Sequence, residues 1–133
     1  MGIMDYIKVL RPLQWYKNLL VFLPIIFVGK MMDISLLQAT LLGFISLCLC
    51  SSFNYIINDI VDRKKDRAHP EKRTRPIAAG RISVLAALVW GLILLCAGLW
   101  LAFSLNREFF YSAAFIVILT QLYSFLLKRI AFA

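Results

Sequence analysis

Apolar residues fall in long blocks that charge seldom interrupts. Between Asp33 and Asp59 lie 25 uncharged residues, between Arg81 and Arg107 another 25, and between Glu108 and Lys128 a further 19. A helix needs about 20 predominantly apolar residues to cross the hydrocarbon layer of a bilayer. The blocks therefore predict membrane-spanning helices over 34–58, 82–106 and 109–127. A fourth span is expected over 12–30, where only 12 residues separate Lys17 from Lys30. It crosses if Lys17 sits at the membrane surface or faces a polar cavity, and Pro24 kinks it. The pattern predicts an all-α, polytopic transmembrane helix bundle, a single domain with a charged loop over 59–81. Upstream, Ile3, Tyr6, Ile7 and Leu10 share a face at helical spacing and predict a short interfacial helix. Ser83 suits the N-cap of the third span.

Composition agrees. Hydrophobic residues make up 62% of the 133 and charged residues 17%, against about 45–50% and about 25% in soluble domains. The mean hydropathy is +0.80. A water-soluble enzyme, a disordered tail and a nucleic-acid-binding domain are poor readings of such a chain. The net charge of +8 does not change that, because 12 of the 22 charged residues sit between Asp59 and Arg81. With four spans, both termini and this loop share one side, which carries 13 of the 15 basic residues. The positive-inside rule places that side in the cytoplasm, and the expected location is a multi-pass protein of the cell membrane. Cys48, Cys50 and Cys96 lie in apolar runs without metal-ligand spacing; three buried free thiols are expected. Trp15 and Trp100 are expected to anchor at the interface.

Candidate chemistry concentrates where the second span meets water. Asn58, Asp62 and Asp66 are spaced i, i+4, i+8, and Asn54 extends the row one turn deeper. Asp59 flanks the same face. Clustered carboxylates repel one another, and a divalent cation removes the conflict. Magnesium prefers hard oxygen ligands, with one or two carboxylates joined by substrate phosphates and water. Arg67, Lys72, Arg73 and Arg75 then suit phosphate oxygens. The chemistry implied is Mg-assisted departure of a diphosphate at a membrane surface. The competing reading is a solvated helix end whose acids pair with Arg63, Lys65 and Arg67. Asn54 and Asn58 weigh against it, since a polar side chain in an apolar run marks a site or a helix–helix contact. Lys17 contacts a phosphate or snorkels to headgroups; Arg11 and Gln14 divide the same way. His69, before Pro70, binds phosphate, acts as an acid or is structural.

Asn58-Asp59-x-x-Asp62-x-x-x-Asp66 resembles the first aspartate-rich motif of the UbiA family of intramembrane transferases. The block from Asp66 to Gly80, through His69-Pro70-x-Lys72-Arg73-x-Arg75-Pro76, is similar to the polyprenyl-phosphate phosphoribosyltransferase branch. So are Arg11-Pro12-x-Gln14-Trp15-x-Lys17-Asn18 and Tyr123-Ser124-x-x-Leu127-Lys128. The resemblance implies a helical bundle in which Mg2+ is held by Asn58, Asp59, Asp62 and Asp66, with the three aspartates catalytic. It implies substrate contacts from Lys17, Asn58, Arg67, His69, Lys72, Arg73, Arg75, Tyr123 and Lys128. The implied reaction moves a phosphoribosyl group from phosphoribosyl diphosphate to a polyprenyl phosphate. A prenyl diphosphate donor would use the same aspartates, and a non-catalytic subunit would keep only the fold. The family is longer and carries a second acidic motif, so the resemblance implies an N-terminal half, completed by a C-terminal half or by self-association.

Overall fold

A computed structural model describes residues 2–22, 26, 29 and 32–132, without the side chains of 21 and 127–132. Helix α1 (Ile3–Lys8) is followed by a 3-10 helix (Pro12–Phe22). Then come α2 (Ile34–Val61), the short α3 (Arg63–Arg67), a 3-10 turn (Lys72–Thr74), α4 (Val84–Leu105) and α5 (Arg107–Phe132). No strand occurs among the described residues. Three helices are long and apolar enough to cross a membrane: Ile34–Val61, Val84–Leu105 and Arg107–Leu126. Of the expected 12–30 span, Pro12–Phe22 is the 3-10 helix, and residues 23–25, 27, 28 and 30, Pro24 and Lys30 among them, lie outside the described residues.

Side-chain caps set where the long helices begin. The Asp33 carboxylate accepts from the Leu36 N–H at 3.1 Å. The Ser83 hydroxyl accepts from the Ala86 N–H at 3.1 Å, and Asn106 Oδ1 accepts from the Phe109 N–H at 2.6 Å. Each cap satisfies a donor that has no partner within the first helical turn. Asn106 is the one extended residue between α4 and α5, so those helices form a hairpin.

Helix α2 is the hub, packing against the 3-10 helix, α4 and α5. Its contact with α4 is made close by small residues. Ala87, Gly91, Gly98 and Ala102 are buried along α4. A Cβ added at Gly98 would stand 2.9 Å from Cys50 Sγ and 3.0 Å from the Ser46 carbonyl oxygen. The backbones therefore approach more nearly than any side chain at 98 permits, as small residues allow in membranes. The Ser46 hydroxyl donates to the Gly98 carbonyl across this seam at 2.7 Å. Cys48 and Cys50 are buried as expected, but Cys96 is exposed, because it lies on the α4 face turned away from α2.

At the charged end, Val9, Ile56, Ile77, Ile82, Ala87 and Leu94 form one buried cluster. Apolar residues of the loop thus fold back under its charges. Each fully buried Ile or Val favours this docking by about 1.5–3 kcal/mol. Helix α1 joins the same cluster. Arg81 Nε donates to Asp5 Oδ1 at 2.9 Å. Trp90 Nε1 donates to the Tyr6 carbonyl at 3.1 Å, and their rings meet edge to face at 6.1 Å.

Candidate functional site

The last two turns of α2 carry Asn54, Tyr55, Asn58 and Asp59. The helix ends at Val61, and Asp62 sits between α2 and α3 at φ −92°, ψ 5°. The sequence spacing placed Asn58, Asp62 and Asp66 on one helical row. The structure keeps the backbone hydrogen bonds of that row, Asp62 N–H to the Asn58 carbonyl at 2.9 Å and Asp66 N–H to the Asp62 carbonyl at 2.8 Å, with Asp62 as the single residue between α2 and α3. Asp59 and Asp66 are each 3% exposed, whereas Asn58 and Asp62 are half-buried.

Two arginines hold the buried acids. Arg75 Nη1 donates to Asp59 Oδ1 at 3.5 Å and to Asp66 Oδ2 at 3.3 Å. Arg11 Nη2 donates to the same Asp59 oxygen. Buried carboxylates need such partners, since an uncompensated charge in a low-dielectric setting is costly. The Arg11 guanidinium also lies over the Tyr55 ring, 5.0 Å from its centroid, a favourable cation–π distance. Arg11 adopts φ 51°, a left-handed conformation that costs a non-glycine residue about 1–2 kcal/mol. The neighbouring fold holds it there. The Trp15 indole donates to Ser52 Oγ at 3.1 Å, and Ser52 Oγ donates to the Leu10 carbonyl at 2.9 Å. Residues three apart eclipse along a 3-10 helix. Asn18 therefore joins Trp15 on one side and donates to Ser51 Oγ at 3.3 Å. Trp15 is thus a hydrogen-bonded strut against α2.

The other expected substrate contacts divide into three groups. Arg67 Nε donates to the Ala78 carbonyl at 2.9 Å and fastens the loop. His69 Nδ1 accepts from the N–H groups of Glu71 and Lys72 at 3.1 and 3.2 Å; the neutral imidazole therefore carries its proton on Nε2. Lys72 and Arg73 are exposed on the 3-10 turn beside it. Lys17 is exposed at a cavity of about 350 Å³ that Asn18, Ser51, Asn54, Ala113 and Val117 also line. Above this cavity Gln121 Nε2 donates to Asn54 Oδ1 at 2.7 Å, tying α5 to α2. Tyr123 is 65% exposed on α5. Neither Lys17 nor Tyr123 pairs with Asp59 or Asp66 among the described residues. The Lys128 side chain lies outside the described residues.

Sequence reasoning left Arg11 between phosphate and headgroup; the structure gives it a carboxylate. Tyr55, Ser52 and Gln121 were missed. Ser52 and Gln121 carried a readable signal, as polar residues inside apolar runs. Tyr55 carried none.

Among the described residues no three His, Cys, Asp or Glu side chains form a ready metal cage. Magnesium needs no such cage when substrate phosphates complete its coordination. Two buried carboxylates already facing one shared cation, Arg75, match that requirement in donor type and charge.

The sequence profile of the UbiA prenyltransferase family matches residues 19–133. An uncharacterized protein of Sinorhizobium fredii is 43% identical over 96% of the chain, and the match covers 25% of that protein. The nodulation protein NoeC of Azorhizobium caulinodans is 38% identical over 90% of the chain and 39% of its own length. The decaprenyl-phosphate phosphoribosyltransferase of Mycolicibacterium smegmatis is 36% identical over 92% of the chain and 40% of its own length. The chain thus spans less than half the length of these relatives. An all-helical polytopic membrane fold, an acid-bearing helix end and the matching profile agree: the chain belongs to the UbiA prenyltransferase family.

Proposed function

We propose that this chain forms the donor-binding part of a membrane transferase that moves a 5-phosphoribosyl group from phosphoribosyl diphosphate to a polyprenyl phosphate. The observation that carries the reading is the buried Asp59–Asp66 pair sharing one cation at the end of an apolar span. The similarity to a decaprenyl-phosphate phosphoribosyltransferase supports this donor and acceptor.

Asp59 and Asp66 would hold Mg2+, with Asn58 and Asp62 beside them. The metal, when bound, neutralises charge on the departing diphosphate. Arg75, Lys72 and Arg73 offer charge-assisted donors to phosphate oxygens, and His69 offers its Nε2–H. Arg67 supports the loop that presents them. In the transfer, the bond from ribose C1 to the diphosphate oxygen breaks and its electron pair leaves with the diphosphate. A lipid phosphate oxygen forms the new bond to C1. Fixed cations around the leaving group supply the electrostatic term that dominates many such reactions. Lys17, at the mouth of the α2–α5 cavity, is placed to meet an acceptor phosphate, with Tyr123 and Lys128 further along α5. The cytoplasmic side is the side of the termini and the 59–81 loop, and the membrane is the cell membrane. A C-terminal half or a second copy completes the bundle.

A prenyl diphosphate donor is the alternative, favoured by the family's own prenyltransferase description. Membranes containing the chain are incubated with Mg2+, polyprenyl phosphate and phosphoribosyl diphosphate, and lipids are read by mass spectrometry. Phosphoribosylated lipid that disappears in Asp62→Ala supports the proposal. Product formed only from prenyl diphosphate overturns it in favour of the alternative. No product from either donor rejects transferase activity for this chain by itself.

A further inference from the structure

Asp59 Oδ1 accepts from two guanidinium groups at once. Arg75 makes its contacts to Asp59 and Asp66 at 3.5 and 3.3 Å, the long end of hydrogen bonding. Arg11 is the nearer partner of Asp59, reaching it from 48 residues away. It does so from a left-handed backbone, and its side chain is 27% exposed while that of Asp59 is 4% exposed. Its guanidinium lies over the face of Tyr55 while it pairs with Asp59.

We infer that Arg11 is the resident counter-ion of Asp59, a latch that a divalent cation must displace before the acid pair can hold it. The inference rests on the donor-site reading above. A metal ion and a guanidinium compete for the same carboxylate oxygen, and two cations that close repel each other. Arg11 and Arg75 together balance the two negative charges of Asp59 and Asp66. A divalent cation balances the same charge, so it gains entry by exchange rather than by filling a vacant acidic pocket. Both arginines give up Asp59 Oδ1 when a metal takes that oxygen. A displaced Arg11 keeps Tyr55 and gains a new anion only when a diphosphate arrives with the metal. The latch therefore makes metal binding depend on the diphosphate: metal alone binds weakly, and metal with diphosphate binds tightly. By linkage the metal strengthens diphosphate binding by the same factor.

The test is equilibrium dialysis of Mn2+ against the full chain in lipid nanodiscs, with and without inorganic diphosphate. Wild type is compared with Arg11→Gln, Arg11→Lys and Asp59→Asn. Arg11→Gln removes the competing charge and is expected to bind Mn2+ alone about tenfold more tightly, the scale of one charge-assisted hydrogen bond. It is also expected to lose most of the tightening that diphosphate brings. Arg11→Lys keeps the charge but not the planar fork and is expected to fall between. Asp59→Asn is expected to abolish binding. Should Arg11→Gln fail to fold, Tyr55→Leu carries the test: it removes the ring that supports the guanidinium and is expected to shrink the diphosphate effect. Arg11→Gln and Tyr55→Leu that both behave like wild type overturn the latch while leaving the metal site intact. Wild type that binds no Mn2+ under either condition overturns the donor-site reading, and the latch with it.

Discussion

Helix α2 is held by two unlike kinds of contact along its length. At the Ser46–Gly98 seam it meets α4 through shape: a glycine, a cysteine and one hydroxyl-to-carbonyl hydrogen bond. At its charged end Asp59 pairs with Arg11, which follows α1, and with Arg75 of the loop, which also pairs with Asp66 of α3. The seam has one well-packed arrangement, because added atoms collide. The charged end has several, because Asp59 has two arginines to choose from and Asp66 shares one of them. A rigid seam beside an exchangeable ion cluster suits a protein that must fix the depth of a site in a membrane while its contents change.

Substitutions at the two regions should therefore fail differently. The largest effect is expected at the ions. Asp59→Asn should cut product formation at least about a hundredfold, the scale of losing one preorganised electrostatic contact. Gly98→Ala should leave turnover per folded molecule within a few-fold of wild type. Equal losses in the lipid assay would erase the distinction. Next, Arg11→Ala leaves Asp59 with only the long Arg75 contact and should cost about 3 kcal/mol of stability, the cost of stranding a buried charge. Unfolding in mixed micelles, followed by circular dichroism, reads it. In the same experiment Gly98→Ala should cost about 2 kcal/mol through overpacking, since the added methyl would stand 2.9 Å from Cys50 Sγ and 3.0 Å from the Ser46 carbonyl oxygen. Ser46→Ala should cost only about 0.6 kcal/mol, a typical interhelical hydrogen bond in a membrane protein. A larger loss would mean that the seam depends on polarity more than on shape.

The smallest effect lies at α1. Arg81, hydrogen-bonded to Asp5, holds that carboxyl below its ordinary value of 3.8. The contribution this pair makes to α1 docking is therefore fully present above the unfolded value and lost as pH falls through the lower folded one. Trp90 fluorescence should report the change in wild type, and Asp5→Asn should abolish that acid transition.

The all-helical architecture was legible because unbroken apolar blocks have few other uses, and Ser83 was legible as a cap. The acid row was legible too, and its backbone hydrogen bonds run from Asp66 to Asp62 to Asn58. The spacing did not show that Asp59 and Asp66 are the two buried acids, because burial depends on the loop packed over them. The Arg11–Asp59 pair joins residues on separate elements, and no local pattern announces it. The hydrogen bonds of Trp15 and Asn18 to Ser52 and Ser51 were not legible, because they depend on the 3-10 register of Pro12–Phe22. The burial of Ile77 and Ile82 was hidden inside a segment whose charges dominate its composition.

The docking of α1 also bears on how the protein is made. Asp5 and Tyr6 leave the ribosome long before their partners, Arg81 and Trp90, which follow 76 and 84 residues later. Arg11 waits 48 residues for Asp59. At roughly 5–20 residues per second, the opening segment spends several seconds without the contacts that fix it. The acid pair can thus collect its first counter-ion only after α2 has been delivered, and the α1 strap closes later still, once α4 has begun to emerge. Assembly of the site is a late event of synthesis, although its first residues are among the earliest made.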